Sequence, residues 1–344
     1  MKQRVAVLLG GPSNEHEVSV KTGSVVIRAL DRDQYDVVPV YIGKDGLWQV
    51  MDDPGERPLD FPPPSDALTQ ETAVHELFMR AIDVVFIALH GAFGEDGTIQ
   101  RILGPTGIPY TGSTADACAL AFDKPRALDL VAAKGIAAPH HAVITRQDWE
   151  DTQADVLTRA ETIGLPLVTK PAAGGSSIGI TIVRERNQLM AGIEFALAHD
   201  DRVLCEQYLD GMEVTCGVVD DGSAGSALAL VPTEIHAVRA EFFDYEAKYV
   251  VGAAEEITPP NLPAKTIERV QALATQIHEL LGCSGMSRSD FILAKDNQFV
   301  FLELNTIPGM TETSLLPQGA AAQGIPFPKL LDGIIAAALA RIRS

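Results

Sequence analysis

The sequence has no long hydrophobic run. None of its 344 residues lies in a continuous apolar stretch close to the roughly 20 residues that a membrane-spanning helix requires. The segment Met1 to Arg4 leads directly into a strand-like segment, without the apolar core of a secretory signal. We therefore expect no membrane partner and a location in the cytoplasm.

Cysteine and positive charge are both scarce. The four cysteines, Cys118, Cys205, Cys216 and Cys283, have apolar or small neighbours and no metal-ligand spacing, which favours reduced core thiols over disulfides or a zinc site. Lysine and arginine number 27 against 46 acidic residues, so the formal net charge is −19. This charge argues against nucleic acid as a partner, and any anionic ligand must be held by a few local cations.

The apolar fraction of 46% indicates a globular protein, and the length suffices for two or three domains. Arg4 to Gly11 is a short apolar run that ends in glycines, and residues at helical spacing follow from Val18 to Ala29. Val37 to Ile42 and Val84 to Leu89 repeat the pattern of a buried strand. The first third is therefore predicted to form a parallel α/β sheet.

Two polar residues follow predicted strand ends in this first third. Glu15 comes after the first strand, and His90 comes directly after Leu89. Active sites of such sheets lie at the carboxyl ends of the strands, although a lone histidine there is more often structural. Between them, Asp45 to Gln70 is rich in Pro, Asp and Gly, which predicts a surface insertion rather than a core element.

A glycine-serine loop marks the middle of the chain. Gly164 to Pro171 and Ile180 to Val183 are predicted strands, and Gly174 to Gly179 joins them as a hairpin. The loop offers backbone N–H groups and two hydroxyls, as a phosphate site does. It is not a Walker loop, because no Gly-Lys-Ser/Thr follows and the next element is a strand. A plain flexible hairpin is the alternative.

Near the end of the chain, polar side chains occur at strand spacing. Side chains alternate between the faces of a strand, so Glu303 and Asn305 are predicted to share one face while Leu302 and Leu304 enter the core. The shared face offers one carboxylate and one amide oxygen to a ligand.

Asp290 begins an earlier apolar run that the turn Lys295 to Gln298 can fold back antiparallel. A third oxygen ligand would then lie beside Glu303 and Asn305. Mg²⁺ prefers oxygen donors and takes only a few carboxylates, leaving room for phosphates. The pattern indicates a magnesium site, with a hairpin of solvent-facing acids as the alternative.

Four further charged residues are candidate ligands for a nucleotide. Lys170, before the glycine-serine loop, and Lys124 can reach phosphates as point charges, while Glu206 and Glu213 flank the apolar pair Tyr208-Leu209, which can face an adenine. Each of them taken alone is more often a solvated surface residue.

The last third is predicted to contain strands and helices around one long polar segment. Strands are predicted from Met212 onward, and Ile235 to Pro260 is too long for a simple turn and typical of a lid. Helices are predicted at Pro263 to Leu281 and at Phe327 to Ile342.

These features together resemble the ATP-grasp ligases and, more closely, the D-alanine–D-alanine ligase family. The matching motifs follow that family's order along essentially the whole chain: Leu8 to Ser19, Ala88 to Gly97, Tyr110 to Ser113, Lys170 to Gly179, Glu206 to Leu209, Asp244 to Tyr249, Asp290 and Glu303 to Thr311. The resemblance implies an α/β fold with α+β elements in a three-domain ATP-grasp architecture. Its parts would be an N-terminal Rossmann-like parallel α/β domain (1–123), a central subdomain with the phosphate loop (124–209) and a C-terminal subdomain with the metal site and a lid at 235–260 (210–344).

The resemblance implies a set of ATP-binding residues: Lys124, Lys170, Gly175, Ser176, Ser177, Glu206, Gln207, Leu209 and Glu213. The two lysines would bind the α- and β-phosphates, and the loop would close over the triphosphate. Asp290, Glu303 and Asn305 would hold two Mg²⁺ ions, for which Mn²⁺ can substitute, and a monovalent cation is left open. Gln207 departs from the family, because many relatives have lysine there.

The resemblance also implies two sets of residues around the substrates. The catalytic set is Glu15, Ser176, Tyr249, Arg288 and Gly309, and the substrate-binding set is His90, Lys248, Ser314 and Leu315. Glu15 would pair with the ammonium of the first D-alanine, and Ser176 and Tyr249 would link the phosphate loop to it. Arg288 and the Gly309 N–H would stabilise the oxyanion.

The second D-alanine would have its own residues. Lys248 and Ser314 would take its carboxylate, and Leu315 would wall its methyl pocket. His90 would lie near the first substrate or orient its neighbours. The base that deprotonates the incoming amine is not identified.

The implied activity joins two D-alanines to D-alanyl-D-alanine through a D-alanyl phosphate, with release of ADP and phosphate, for cell-wall synthesis by a homodimer. One alternative is an ATP-grasp ligase of another amino-acid pair or of D-lactate, against which Tyr249 argues. The other alternative is a nucleotide-binding module that has lost catalysis.

Overall fold

The computed structural model describes residues 2–55, 57, 66–175, 178–220, 227–237 and 254–341. The strands within these ranges are β1 (Gln3–Gly10), β2 (Tyr35–Ile42), β3 (Trp48–Val50), β4 (Val84–Ile87), β5 (His141–Thr145), β6 (Leu167–Pro171), β7 (Thr181–Val183), β8 (Arg202–Gln207), β9 (Gly211–Asp220), β10 (Ala227–Ala229), β11 (Thr233–Ala237), β12 (Ala254–Ile257), β13 (Met286–Ala294) and β14 (Phe299–Asn305). The helices are α1 (His16–Ala29), α2 (Gln70–Met79), α3 (Thr98–Leu103), α4 (Ala115–Phe122), α5 (Lys124–Ala133), α6 (Arg146–Asp151), α7 (Gln153–Glu161), α8 (Arg186–Leu197), α9 (Ala264–Leu280), α10 (Leu315–Ala322) and α11 (Phe327–Arg341).

The first sheet has the order β3-β2-β1-β4, and β2 and β4 both run parallel to β1. Its central strand is a continuous apolar run from Val5 to Leu9 that is fully buried, as expected for a strand covered on both faces. The predicted parallel sheet is confirmed.

Two glycines turn the chain from β1 into α1. Gly10 and Gly11 have φ angles of +89° and +92°, a region that side chains with a Cβ atom rarely adopt. A Cβ atom at Gly10 would lie only 2.3 Å from the carbonyl oxygen of Ile42. The turn therefore requires glycine, and it brings Glu15 to the start of α1 at the carboxyl end of the sheet.

The prediction for Asp45 to Gln70 was wrong in part. Trp48 to Val50 form β3, which pairs antiparallel with β2. The side chain of Trp48 is fully buried, and its backbone pairs with Leu68. The segment thus contributes an edge strand and a core side chain, because the apolar surface of the indole is excluded from water. Residues 56 and 58–65 lie outside the described ranges.

The other two sheets are antiparallel. The central one has the order β5-β8-β6-β7, and its β6–β7 pair confirms the predicted hairpin around the glycine-serine loop. The third has the order β12-β11-β9-β13-β14, with β10 attached to β9. The described ends of the predicted lid are strands that pair with each other, so Ile235 to Pro260 is not one long loop, and residues 238–253 lie outside the described ranges.

The C-terminal helix α11 packs against β4 of the first sheet as well as against β9 of the third. Leu330, Leu331 and Ile334 belong to the same hydrophobic cluster as Val5 to Leu9 of β1. No local pattern predicted this contact, which joins the two ends of the chain.

The described cysteines are free thiols, as predicted: Cys118, Cys205 and Cys216 are buried, and Cys283 is partly buried. Burial raises the pKa of each thiol to about 12. In the described part of the chain, no helix combines the length and apolar character needed to cross a membrane.

Candidate active site

The β13–β14 hairpin brings three expected metal ligands together. Asp290 lies directly opposite Glu303, and Arg288 lies opposite Asn305. Directly opposed residues of an antiparallel pair project from the same face, so the four side chains share one face. The antiparallel return of Asp290 toward Glu303, expected from the sequence, is confirmed.

A β-bulge overturns one part of the sequence prediction. The pairing register shifts between Asp290 and Phe291, which leaves Leu302 as an extra residue on β14. Leu302 was expected in the core, but it is only partly buried and lines a cavity beside Glu303, whereas Leu304 is buried. Bulges of this kind re-aim side chains, and here the bulge adds an apolar side chain to the site face.

The carboxylate of Asp290 is held from three sides. Arg288 donates to both of its oxygens, from Nε at 2.9 Å and from Nη2 at 2.8 Å. Thr215 Oγ1 donates to Oδ1 at 2.5 Å, and Asn305 Nδ2 donates to Oδ2 at 3.3 Å. Burial acts to lower the pKa of Arg288, but the charge and hydrogen bonds of Asp290 outweigh it and raise this pKa. Arg288 is therefore a permanent cation in a fixed orientation.

The donor set fits magnesium. Two carboxylates and one amide on a single face supply hard oxygen ligands, and Mg²⁺ commonly takes its remaining ligands from water and phosphates. Among the described residues no group of three His, Cys, Asp or Glu side chains forms a protein-only metal cage.

Two lysines form ion pairs beside this hairpin. Lys124 Nζ lies 3.4 Å from Glu303 Oε2 and 2.5 Å from the carbonyl oxygen of Gly174. Lys170 Nζ lies 2.6 Å from Glu206 Oε1, and both of these side chains are less than one-tenth exposed. The lysines are therefore not solvated surface residues, the alternative that the sequence left open.

A cavity of about 150 Å³ lies between the second and third sheets. Its lining includes most of the residues that the resemblance assigned to ATP and metal: Lys124, Lys170, Gly175, Glu206, Gln207, Leu209, Glu213, Asp290 and Glu303. A smaller adjoining pocket is lined by Glu95, Lys124, Gly175, Glu303 and Asn305, among others.

The walls of the main cavity suit a purine ring. Val168, Ile180, Ile182 and Ile292 provide apolar surface. Glu206 is 4% exposed, and its Oε2 atom is buried without a hydrogen-bond partner among the described residues. A buried carboxylate oxygen needs a donor, and the exocyclic amine of adenine is a donor of that kind.

The glycine-serine loop reaches the start of α1. A Cβ atom added at Gly175 would lie 2.5 Å from Oε2 of Glu15, and one added at Gly91 would lie 2.4 Å from the same oxygen. Both positions therefore need glycine so that the Glu15 carboxylate can occupy its place. Gly175 also lines the main cavity, so Glu15 adjoins the end of the cavity that carries the glycine-serine loop.

His90 is buried in a hydrogen-bonded position. Its Nδ1 atom lies 3.0 Å from the carbonyl oxygen of Ile307, and its Nε2 atom lies 2.8 Å from Thr22 Oγ1. Burial lowers the pKa of His90, which favours the neutral ring with Nδ1 donating and Nε2 accepting. This geometry supports the orienting role rather than direct substrate contact.

Glu95 is a site residue to which the sequence reasoning assigned no role. Its Oε2 accepts from the Gly91 N–H at 2.8 Å and its Oε1 from the Ile307 N–H at 3.3 Å. It thereby ties the glycine beside Glu15 to the loop that follows β14. Glu95 belongs to the family motif that begins at Ala88. Its place in that motif was the sequence feature from which a role in the site could have been predicted.

The pH dependence of stability should report on Glu95. Burial, followed by the charge of Glu15, raises its pKa to about 8, against an ordinary value of 4.5. The folded protein then holds a proton that the unfolded chain releases above pH 4.5, so this stabilisation is lost as the pH rises toward 8. Between pH 5 and 8, the free energy of unfolding should fall by about 2 to 4 kcal/mol more for the unaltered protein than for Glu95→Gln.

Urea unfolding at several pH values in this range measures the difference. Glu268→Gln, an exposed position on α9, is the matched control and should follow the unaltered protein. Parallel curves for Glu95→Gln and the unaltered protein would contradict the raised pKa.

Two of the three residues expected around the second substrate, Ser314 and Leu315, lie at the start of α10. Ser314 precedes α10, and its Oγ atom accepts from the Thr311 N–H at 3.0 Å. A Cβ atom at Gly309 would lie 2.7 Å from this oxygen, so Gly309 and Ser314 are neighbours. Leu315 is the first residue of α10 and is partly buried. Ser176, Ser177, Lys248 and Tyr249 lie outside the described residues.

Comparisons with known proteins decide the family. A sequence model described as "D-ala D-ala ligase N-terminus" matches residues 4–113, and one described as "D-ala D-ala ligase C-terminus" matches residues 130–336. The chain belongs to the D-alanine–D-alanine ligase family. The resemblance seen in its motifs is thereby confirmed.

Individual D-alanine–D-alanine ligases match over nearly the full length. The chain is 42% identical over 340 residues to the D-alanine–D-alanine ligase of Syntrophobacter fumaroxidans, covering 98% of each chain. It is 40% identical over 341 residues to that of Geobacter sulfurreducens, covering 99% of this chain and 95% of the relative.

Solved structures show the same fold. The ligase from Bacillus anthracis complexed with ATP matches with a TM-score of 0.76 and 32% identity, over 99% of each chain. The VanG D-Ala:D-Ser ligase from Enterococcus faecalis matches with a TM-score of 0.81 and 32% identity, over 98% of this chain and 99% of that one. The predicted ATP-grasp architecture is confirmed.

Proposed function

We propose that the chain joins two D-alanines to D-alanyl-D-alanine through a D-alanyl phosphate, with release of ADP and phosphate, and so supplies a peptidoglycan precursor. The observation that carries the proposal is the position of Gly175. This residue lines the nucleotide cavity and lies against the Glu15 carboxylate. The phosphate end of the cavity therefore adjoins a group that can hold an amino acid by its ammonium.

The residues of the main cavity bind and orient ATP in this proposal. Glu206 accepts from the adenine amine, and Lys124 and Lys170 neutralise the phosphates as point charges. Asp290, Glu303 and Asn305 would hold Mg²⁺, and the bound ion would supply positive charge to neutralise the phosphates. An acyl phosphate hydrolyses readily, so the reaction requires that water be excluded from the end of the site beside Glu15.

The residues near Glu15 and α10 bind the two amino acids. Glu15 holds the ammonium group of the first D-alanine, and the carboxylate of that D-alanine points toward the glycine-serine loop. Arg288, fixed by its two hydrogen bonds to Asp290, and the Gly309 N–H stabilise the oxyanion that forms when the second amine attacks. Ser314 and Lys248 take the carboxylate of the second D-alanine, and Leu315 walls its methyl pocket.

The remaining expectations from the resemblance stay predictions. They are the division into domains at 1–123, 124–209 and 210–344, the roles of Ser176, Ser177 and Tyr249 in loop closure, the homodimer and the cytoplasmic location.

Release of phosphate from Mg-ATP tests the proposal. D-alanine should stimulate release, L-alanine should not, and the product should have the mass of D-alanyl-D-alanine. Absence of turnover with D-alanine would overturn the proposed function. If ATP still bound to the inactive protein, the remaining hypothesis would be a nucleotide-binding module that has lost catalysis.

A second candidate concerns the acceptor. The likeness to the VanG D-Ala:D-Ser ligase makes D-serine the first competitor to test. Mixtures of D-alanine with equal D-serine or D-lactate should yield mainly D-alanyl-D-alanine. A mixed product in excess would reassign the acceptor while keeping the reaction class.

A further inference from the structure

Glu256 projects from the site face of the third sheet. On β12 it lies opposite Ile235 of β11, which lies opposite Glu213 of β9, and Glu213 lies opposite Ile292 of β13. Opposed residues share a face. Glu213 and Ile292 line the main cavity, so Glu256 is the outermost side chain of a row that begins there.

Helix α10 covers the same face. Gly217 shares this face with Glu213, four positions earlier on β9, and a Cβ atom at Gly217 would lie 2.5 Å from Leu316 of α10. The missing side chain at Gly217 lets the helix lie directly on the strand. Its first turn, with Ser314 and Leu315, is thereby placed on the sheet face that also carries Arg288.

A hydrogen-bonded chain connects Glu256 to that first turn. Gln318 Nε2 donates to Glu256 Oε2 at 2.8 Å and to the carbonyl oxygen of Thr313 at 2.9 Å. Thr313 immediately precedes Ser314. Burial raises the pKa of Glu256, while the Gln318 hydrogen bond and the charge of Arg288 act to lower it. The carboxylate is thus partly desolvated and within the field of the proposed oxyanion-binding arginine.

We propose that Glu256 and Gln318 are a positioning pair for the acceptor amino acid: together they hold the Thr313–Leu315 turn in place on the sheet and so set the subsite for the second substrate. This rests on the proposed function, in which Ser314 and Leu315 contact the second D-alanine. In the described part of the chain neither Glu256 nor Gln318 lines the main cavity or the smaller pocket beside it, so we expect ATP and the first D-alanine to bind independently of the pair.

Steady-state kinetics that determine separate KM values for the first and the second D-alanine test the positioning role of Glu256 and Gln318. Gln318→Ala removes both hydrogen bonds and should raise the KM for the second D-alanine about 10-fold, the effect expected for a lost hydrogen bond to a charged group. The KM values for ATP and the first D-alanine should stay within twofold. Gln318→Glu places two carboxylates together and should raise the second KM further.

The exchange Glu256→Gln with Gln318→Glu provides a rescue. It restores a donor and an acceptor between β12 and α10, so its second KM should fall below that of Gln318→Glu alone. A structural defect in α10 would give no such recovery. Glu255→Gln, exposed on the same strand, and Gln323→Ala, exposed at the other end of α10, are matched controls and should leave all constants unchanged.

Amide hydrogen exchange provides a readout that does not depend on turnover. The Ser314 and Gln318 amides, which donate to Thr311 and Ser314, should exchange faster in Gln318→Ala than in the control Gln323→Ala. An unchanged second KM in Gln318→Ala and Gln318→Glu, with normal turnover of the unaltered protein, would overturn the positioning role alone. Absence of D-alanine-dependent turnover in the unaltered protein would overturn the proposed function and the acceptor role with it.

Discussion

Glu303→Gln should lower the rate of D-alanine-dependent phosphate release by about 100-fold or more while leaving the fold intact. The variant keeps the shape of the side chain and removes one of the two carboxylates on the site face of the β13–β14 hairpin. Glu303 lies opposite Asp290 on the hairpin and lines both the main cavity and the smaller pocket, so its carboxylate lies where a nucleotide-bound metal ion would be shared. Its loss should weaken the binding of Mg²⁺ where the transferring phosphoryl group needs it.

Stability should change little in this variant. The Glu303 side chain is 24% exposed, and its ion pair with Lys124 spans 3.4 Å. Glutamine loses the attraction to Lys124 but also the repulsion from the opposed Asp290 carboxylate, and its amide oxygen can still accept from Lys124. The concentration of Mg²⁺ for half-maximal rate should rise, and urea unfolding should remain close to that of the unaltered protein. Glu268→Gln serves as the matched control, and a near-normal rate for Glu303→Gln would remove the metal role from this residue.

Arg288→Lys should reduce turnover by about 100- to 1000-fold, even though the charge is conserved. The planar guanidinium donates to both oxygens of Asp290, and an ammonium group cannot reproduce that fork. Lysine at this position would place its charge differently relative to the developing oxyanion. The Asp290 carboxylate, only 5% exposed, would also lose two of its hydrogen bonds.

The kinetic constants separate these two consequences. If Arg288 acts on the oxyanion, kcat should fall while the KM for ATP changes by a few-fold at most. A large rise in the KM for ATP with unchanged kcat would instead show that Arg288 acts only by orienting Asp290. Arg28→Lys, exposed in the last turn of α1, is the matched control and should behave as the unaltered protein does.

The sequence predicted the elements that depend on local patterns. The parallel strands around Val5 to Leu9 follow from continuous apolar runs, and the hairpin of Asp290 and Glu303 follows from alternation and a polar turn. Both patterns act through the geometry of neighbouring residues in the chain, so they can be read without tertiary contacts. The family resemblance rested on motifs in a fixed order, and it covered residues such as Gly309 that no periodicity singles out.

The sequence failed where packing decided the outcome. Alternation placed Leu302 in the core, but the bulge beside Asp290 turns it into the cavity. Composition placed Trp48 in a surface insertion, but β2 offers an edge with which Trp48 pairs and a core that takes its indole. In both cases a partner strand overrode the local preference.

The sequence by itself determined the family, the strands that carry the site and the same-face pair of Glu303 and Asn305, because these depend on residue order and on spacing of two or three positions. Only the tertiary structure decided that Gly175 lies against Glu15, that Glu95 is buried between two loops and that Glu256 reaches Gln318. The hydrogen bonds from Glu95 to Ile307 and from Gln318 to Glu256 join residues that lie 212 and 62 positions apart in the sequence. They form only when elements distant in the sequence pack together, and local sequence patterns carry no information about that packing.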